Sequence, residues 1–170
     1  MYGSYASIAD TPTLRFERRL SHPVERVWRA ITERDDLGHW FPSKVVVAEL
    51  APAAEMTFEF ENMPVDAPST MTGRVTDFDP PRVFAFTWGP PGQEDHLRFE
   101  LEPVQQECTL RLTVALGTRD KAARDAAGWH VCLDRLEEHL GGDVEGGEWR
   151  GYYDQYQRRG VPAGAPIPGE

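Results

Sequence analysis

Cysteine is scarce in this chain. Only Cys108 and Cys132 occur in 170 residues, and no Cys-x-x-Cys or His-x-x-x-His pair is present. Zinc sites are built from such clustered ligands, so no metal is expected. Two lone thiols fit the reduced, buried habit of free cysteine. The alternative, a redox pair between strand and helix, needs alpha carbons within roughly 7 Å. Positive charge is also short, with 18 Lys and Arg against 28 Asp and Glu and a net charge of −10. A phosphate backbone attracts basic surface, so no nucleic-acid partner is expected. No apolar run approaches the roughly 18 residues of a membrane helix, and the first residues lack a basic start followed by an apolar core. No membrane association is expected, and a cytoplasmic location follows. Gly-x-Ser-x-Gly, a phosphate loop and Gly-x-Gly-x-x-Gly are all missing. No nucleophile elbow and no nucleotide cofactor are therefore expected.

What is present is hydrophobic content of 40% with 11% aromatics, enough for the core of one globular domain. Residues 1–12 are small and polar and read as a flexible arm. Residues 13–20 alternate, with Leu14, Phe16 and Leu20 on one face and Arg15, Glu17 and Arg19 on the other. Arg18 falls on the inner face, either at a strand end or as a buried cation in need of a carboxylate. Next come two short helical pieces. Ser21 is placed to cap the first, Pro23 suits its first turn, and Val24, Val27, Trp28 and Ile31 form its apolar face. The second ends in Trp40-Phe41 before Pro42. A series of alternating strands follows. In the connector Ala51-Pro52-Ala53-Ala54, alanine stands where a tight turn favours positive φ, which predicts altered hairpin geometry. Residues 62–69 read as a loop able to cover a cavity mouth. Gly73 marks a bulge or bend in its strand. Residues 121–140 carry Ala122, Ala126, Trp129, Leu133, Leu136 and Leu140 at helical spacing, and Gly141-Gly142 ends that helix. Trp149, Tyr152, Tyr153 and Tyr156 then form an aromatic stripe over residues 142–159. The stripe either packs on the parent domain or makes a homodimer interface. Residues 160–170 are rich in Pro and Gly and read as a disordered tail.

Several words in this order resemble a known family. Pro23-Val24-Glu25-Arg26-Val27-Trp28-Arg29-Ala30-Ile31-Thr32 and Leu37-Gly38-His39-Trp40-Phe41 open the resemblance. Gly73-Arg74-Val75-Thr76, Pro80-Pro81-Arg82-Val83, Thr87-Trp88 and Gly128-Trp129 continue it. Together they resemble the START-related, helix-grip superfamily (SRPBCC), in the bacterial branch homologous to the activator of the heat-shock-protein-90 ATPase. The resemblance spans roughly residues 13–140. It implies an α+β helix-grip fold like that of the birch-pollen allergen. A curved antiparallel sheet of about six to seven strands would surround a long C-terminal helix, with two short helices after the first strand. The helix-grip domain is placed at residues 13–141.

The superfamily implies a space between sheet and helix that holds apolar ligands. Trp40, Phe41, Phe58, Phe60, Phe84, Phe86, Trp88, Phe99, Trp129 and Leu133 are the expected lining, against the plainer reading that they fill the core. The function read from this is binding of a small hydrophobic molecule, lipid-like or polycyclic. One alternative is an enzyme of the cyclase or lyase kind, which needs a polar group aimed into that space. Of His22, His39, His96, His130 and His139, His130 is the catalytic candidate, at the edge of the buried helix face, with Asp95 or Asp66 as conceivable partners. Enzymatic activity is not the favoured reading. Another alternative is a protein-interaction or co-chaperone-like module. In that family a second domain binds the chaperone, and no counterpart to it is read in these residues.

Overall fold

The computed structural model describes residues 1–61, 63 and 68–167. The elements run β1 (Ser4–Ile8), β2 (Thr11–Leu20), α1 (Val24–Thr32), α2 (Arg34–Trp40), β3 (Lys44–Val46), β4 (Glu55–Glu59), β5 (Thr70–Asp79), β6 (Val83–Trp88), β7 (Asp95–Val104), β8 (Glu107–Ala115), α3 (Ala122–His139) and α4 (Trp149–Arg158). All eight strands form one antiparallel sheet in the order β1-β2-β8-β7-β6-β5-β4-β3. The sheet has eight strands where six or seven were expected.

Alternation explains the sheet. Leu14, Phe16 and Leu20 pair across to Val114, Leu112 and Cys108, and all are buried. Phe84 and Phe86 lie opposite Phe99 and Leu97 on the same face. The other face carries ion pairs: Arg111 reaches Glu17 at 2.9 Å and Glu102 at 2.7 Å, and Arg98 reaches Asp77 at 2.8 Å. Such exposed pairs contribute about 0–1 kcal/mol each, so the buried face carries the stability.

The additional strand is β1, within the segment read as a flexible arm. Its turn to β2 uses Ala9 and Asp10 at φ 46° and 64°. Two successive residues at positive φ make the hairpin turn that matches strand twist, but Ala-Asp lacks the Asn-Gly or Asp-Gly signal. The connector before β4 also keeps its turn without glycine. Ala53 takes φ 66°, held by its N–H on the Val75 carbonyl at 3.0 Å. The β5–β6 bulge lies between Val75 and Asp77, not at Gly73. Gly73 serves close approach instead, because a Cβ there would stand 1.8 Å from the Thr87 carbonyl oxygen.

Helix α1 begins after Pro23, with no side-chain cap, so Ser21 does not cap it. Val24, Val27, Ala30 and Ile31 are buried, while Trp28 is half-buried against Phe78 at 5.5 Å. Helix α3 buries Ala122, Ala126, Trp129, Leu133 and Leu136 and ends at Gly141, φ 81°, with Gly141 N–H on the Glu138 carbonyl. Helix α4 turns Tyr152 and Tyr156 inward onto the domain. Residues 160–167, read as disordered, follow an ordered path: Val161 is buried, and the Pro162 carbonyl accepts the Ala123 N–H at 2.8 Å. No helix among the described residues is long and apolar enough to cross a membrane.

Candidate functional site

The centre of the molecule, where sheet and α3 face each other, is closed by side chains. Phe58 stacks on Phe86 at 5.6 Å, Phe86 lies 6.4 Å from Phe99, and Phe84 lies 5.1 Å from Phe86. Trp40 meets Phe99 edge-on at 6.0 Å and donates its indole N–H to the Ala30 carbonyl at 2.8 Å. These five and Leu133 are buried, so six of the ten expected lining residues belong to the hydrophobic core. Phe41 is buried too and bridges Phe58, Phe86, Trp88 and Trp129 with centroids 5.8–6.2 Å away.

Open volume lies at one end of this core. A groove of about 550 Å³ runs between the β4–β6 end of the sheet and the first half of α3. Phe60, Met71 and Trp88 form its sheet side, Trp129 and Cys132 its helix side, and Trp149 its α4 side. Phe60, Trp88 and Trp129 are the members of the expected set that reach it. Trp88 is 6.0 Å from Phe60 and 5.4 Å from Trp129, which gives a continuous aromatic wall. Gly128 opens the helix surface there, since a Cβ on it would meet only the Trp149 indole nitrogen, at 4.0 Å. Residues 62 and 64–67 of the expected covering loop lie outside the described residues, as does Asp66; Met63 lines the groove.

One end of the groove is polar. Asp95, 3% exposed, accepts the Gly117 N–H at 2.8 Å and the Trp88 indole N–H at 3.3 Å. Lys121 Nζ lies 2.6 and 2.7 Å from the two Asp95 oxygens and 3.6 Å from Asp125. Arg124 pairs with Asp125 at 3.0 Å. Burial raises the Asp125 carboxyl above its usual range, against the opposing pull of Arg124 and Lys121. Each charge in the cluster has an opposite partner. The alternation of β7 puts Asp95 on the inward parity of Leu97, Phe99 and Leu101, and an aspartate at such a position was the signal that could have found this cluster.

His130 lies in a different cluster and is buried, not at an edge. Its Nδ1 is 3.0 Å from the Tyr156 hydroxyl, its Nε2 is 3.7 Å from Asp134, and its ring stacks on Tyr152 at 3.9 Å. Burial, with Arg18, the amino terminus and Arg159 nearby, pushes its pKa down to about 4 against the pull of Asp134. Asp134 accepts the Tyr152 hydroxyl at 2.5 Å and Arg18 at 3.4 Å. Arg18 is thus the buried cation with its carboxylate, and Glu137 stands 3.8 Å away as a second. The Tyr156 hydroxyl, pushed up to about 12 mainly by burial, accepts the Gly3 N–H at 2.9 Å. Asp95, the conceivable partner of His130, is held by Lys121 and Trp88 instead. His130 is not among the groove's lining residues.

His22, His39 and His139 have local duties. His139 pairs with Asp36 at 2.5 Å and stacks on His39 at 4.3 Å, which ties α3 to α2. His22 bonds the Leu140 carbonyl. Both cysteines are free and buried, their thiols raised chiefly by burial, to about 11 for Cys108 and about 12 for Cys132. Among the described residues no group of three His, Cys, Asp or Glu side chains is placed to hold a metal ion.

One antiparallel sheet, two short helices after its second strand and a long C-terminal helix define an α+β protein of helix-grip-like fold. Residues 21–141 match the model of the family described as activator of Hsp90 ATPase homolog 1-like protein, and the chain belongs to that family. No curated protein matches the chain. Among solved structures, it is similar to a conserved protein of unknown function from Enterococcus faecalis (21% identity, 92% and 89% of the two chains covered, TM-score 0.73). It is also similar to CalU16 from Micromonospora echinospora (18% identity, 92% of each chain, TM-score 0.70). A Bordetella parapertussis protein has 26% identity over 93% of this chain and 90% of its own, with TM-score 0.67.

Proposed function

We propose that this protein binds a small hydrophobic molecule in the groove between the β4–β6 end of the sheet and the first half of α3. The observation that carries the reading is an open volume of about 550 Å³, walled by aromatic side chains, beside a core of stacked and edge-packed rings. Ligand sites span about 300–1,000 Å³, with mostly apolar walls and few polar groups. Phe60, Met71, Trp88 and Trp129 supply such walls, and the Asp95–Lys121 pair supplies the polar end. The binding reading is preferred to catalysis because His130 is engaged with Tyr156, Tyr152 and Asp134, away from the groove.

Nile red fluorescence and native mass spectrometry test the reading through Gly128→Leu. A side chain at position 128 enters space bordered only by Trp149, so the groove fills while the fold keeps or gains stability, glycine being worth about 1 kcal/mol less than alanine in a helix. Saturable binding to the natural chain and a loss of about tenfold or more in Gly128→Leu are expected. Absence of saturable binding, or binding untouched by the substitution, overturns it.

A further inference from the structure

Two groove walls come from the family-matched span, residues 21–141, and the third does not. Trp149 and Ile167 reach the groove from the C-terminal segment. We propose that this segment is the specificity wall of the groove: Trp149 and Ile167 select flat, uncharged molecules, and Arg124 holds the wall in register. The proposal rests on the groove being a ligand site.

Trp149 stands over Gly128 and is backed by Tyr153, stacked at 5.0 Å with 12° between the rings. The ring is therefore braced from behind. After α4 the chain returns along the start of α3. The Pro162 carbonyl accepts the Ala123 N–H at 2.8 Å, which satisfies one of the donors that every helix leaves open at its first turn. Ala165 N–H is 3.1 Å from the Asp120 carbonyl, and Arg124 donates to the Pro166 carbonyl at 2.9 Å. These three bonds deliver Ile167 to the groove. Arg124 also pairs with Asp125, so the same side chain fixes the wall and neutralises the polar end.

Shape and charge then define the ligand class. Trp88, Trp129 and Trp149 each supply an indole to the groove wall, from sheet, α3 and α4, and aromatic walls favour a flat ring system, whose stacking adds about 0.5–1.5 kcal/mol beyond area burial. Lys121 is taken by Asp95 and Asp125, and Arg124 by Asp125 and Pro166. Among the described residues lining the groove, no charge is left to receive a carboxylate or an ammonium, and inserting one would disturb a partly buried pair.

The test compares Nile red, flat and uncharged, with 11-(dansylamino)undecanoic acid, chain-like and anionic, on the full chain. The natural protein is expected to prefer Nile red about tenfold, and Trp149→Ala and Ile167→Ser to bring the two probes within about threefold by weakening Nile red alone. Arg124→Gln moves the ratio in the same direction by a smaller factor. Ile167 lies in the terminal segment, so its variant leaves the domain folded. A ratio unchanged in both variants, or a natural protein that prefers the acid, overturns the wall. If Nile red binding is blocked by Gly128→Leu while the ratio is unchanged, the groove stands and only the wall falls. No Nile red binding at all overturns both.

Discussion

His130 shows how one side chain can be misplaced by reading its own element alone. On an ideal helix it is about 100° from Trp129, at the rim of the face that α3 turns to the sheet. Helix α4 and Tyr2 from the N-terminal segment cover that rim, with the Tyr2 ring 4.8 Å from His130. The imidazole is paired there with the Tyr156 hydroxyl, and burial disfavours its charged form. The linkage has a definite sign. In the unfolded chain His130 takes its proton near its ordinary value of 6.5, whereas in the fold it does so only near about 4. The unfolded state therefore binds more protons between those values, and stability falls as pH drops through the window. The difference is worth about 3 kcal/mol. Arg18, Asp134, Arg159, Tyr2, Tyr152, Tyr156 and the amino terminus surround the ring and remain in place for the comparison. Urea unfolding at pH 7, 5.5 and 4.5 should show a steeper loss in the natural chain than in His130→Gln. Parallel losses in the two would assign the acid sensitivity to other groups.

At the scale of elements, two glycines with the same letter do opposite work. Gly73 in β5 lies across from Trp88, and a Cβ there would stand 1.8 Å from the Thr87 carbonyl and 2.9 Å from the Phe58 ring. Backbone cannot move aside as a side chain end can, so Gly73→Ala must part β5 from β6 or shift Phe58 in the core. Gly38 in α2 has nothing within 4 Å of its missing Cβ. There alanine only removes the entropy that glycine loses in a helix, about 1 kcal/mol. Thermal unfolding should find Gly73→Ala destabilised by about 3 kcal/mol or unfolded, and Gly38→Ala stabilised by up to about 1 kcal/mol. Equal small effects would mean that β5 and β6 tolerate separation. The sequence marked Gly73 as special but read it as a bulge or a bend. The close approach of the Thr87 carbonyl emerges only once the neighbouring strand is in place.

Across the whole molecule, what was legible followed period and punctuation. Alternation in Leu14–Phe16, Phe84–Phe86, Leu97–Phe99 and Leu110–Leu112 marked the inner sheet face, and Gly141 marked the end of α3. The expected aromatic set was partly separable only in three dimensions: a run of alternating rings does not say which fill one another's gaps, as Phe58, Phe86 and Phe99 do, and which border open volume, as Phe60 and Trp88 do. The two ends of the chain were harder to read because part of their order comes from each other. Strand β1 is an exposed edge with a turn of unusual composition, and α4 is a short helix of low hydropathy. Helix α4 is held on the domain by Tyr152 and Tyr156, and β1 by its pairing with β2. They are joined by the Tyr156 hydroxyl, which takes the Gly3 N–H and meets His130, while Arg159 stands 4.1 Å over the Tyr2 ring. If this joint couples the ends, they open together. Tyr156→Phe removes the hydroxyl alone and leaves the Gly3 amide and the imidazole without it, a cost of about 1–3 kcal/mol. Amide hydrogen exchange followed by peptide mass spectrometry should then show β1 and α4 losing protection to a similar degree, with β7 and β8 unchanged. Loss confined to α4 would make β1 an independent hairpin, held by its pairing with β2.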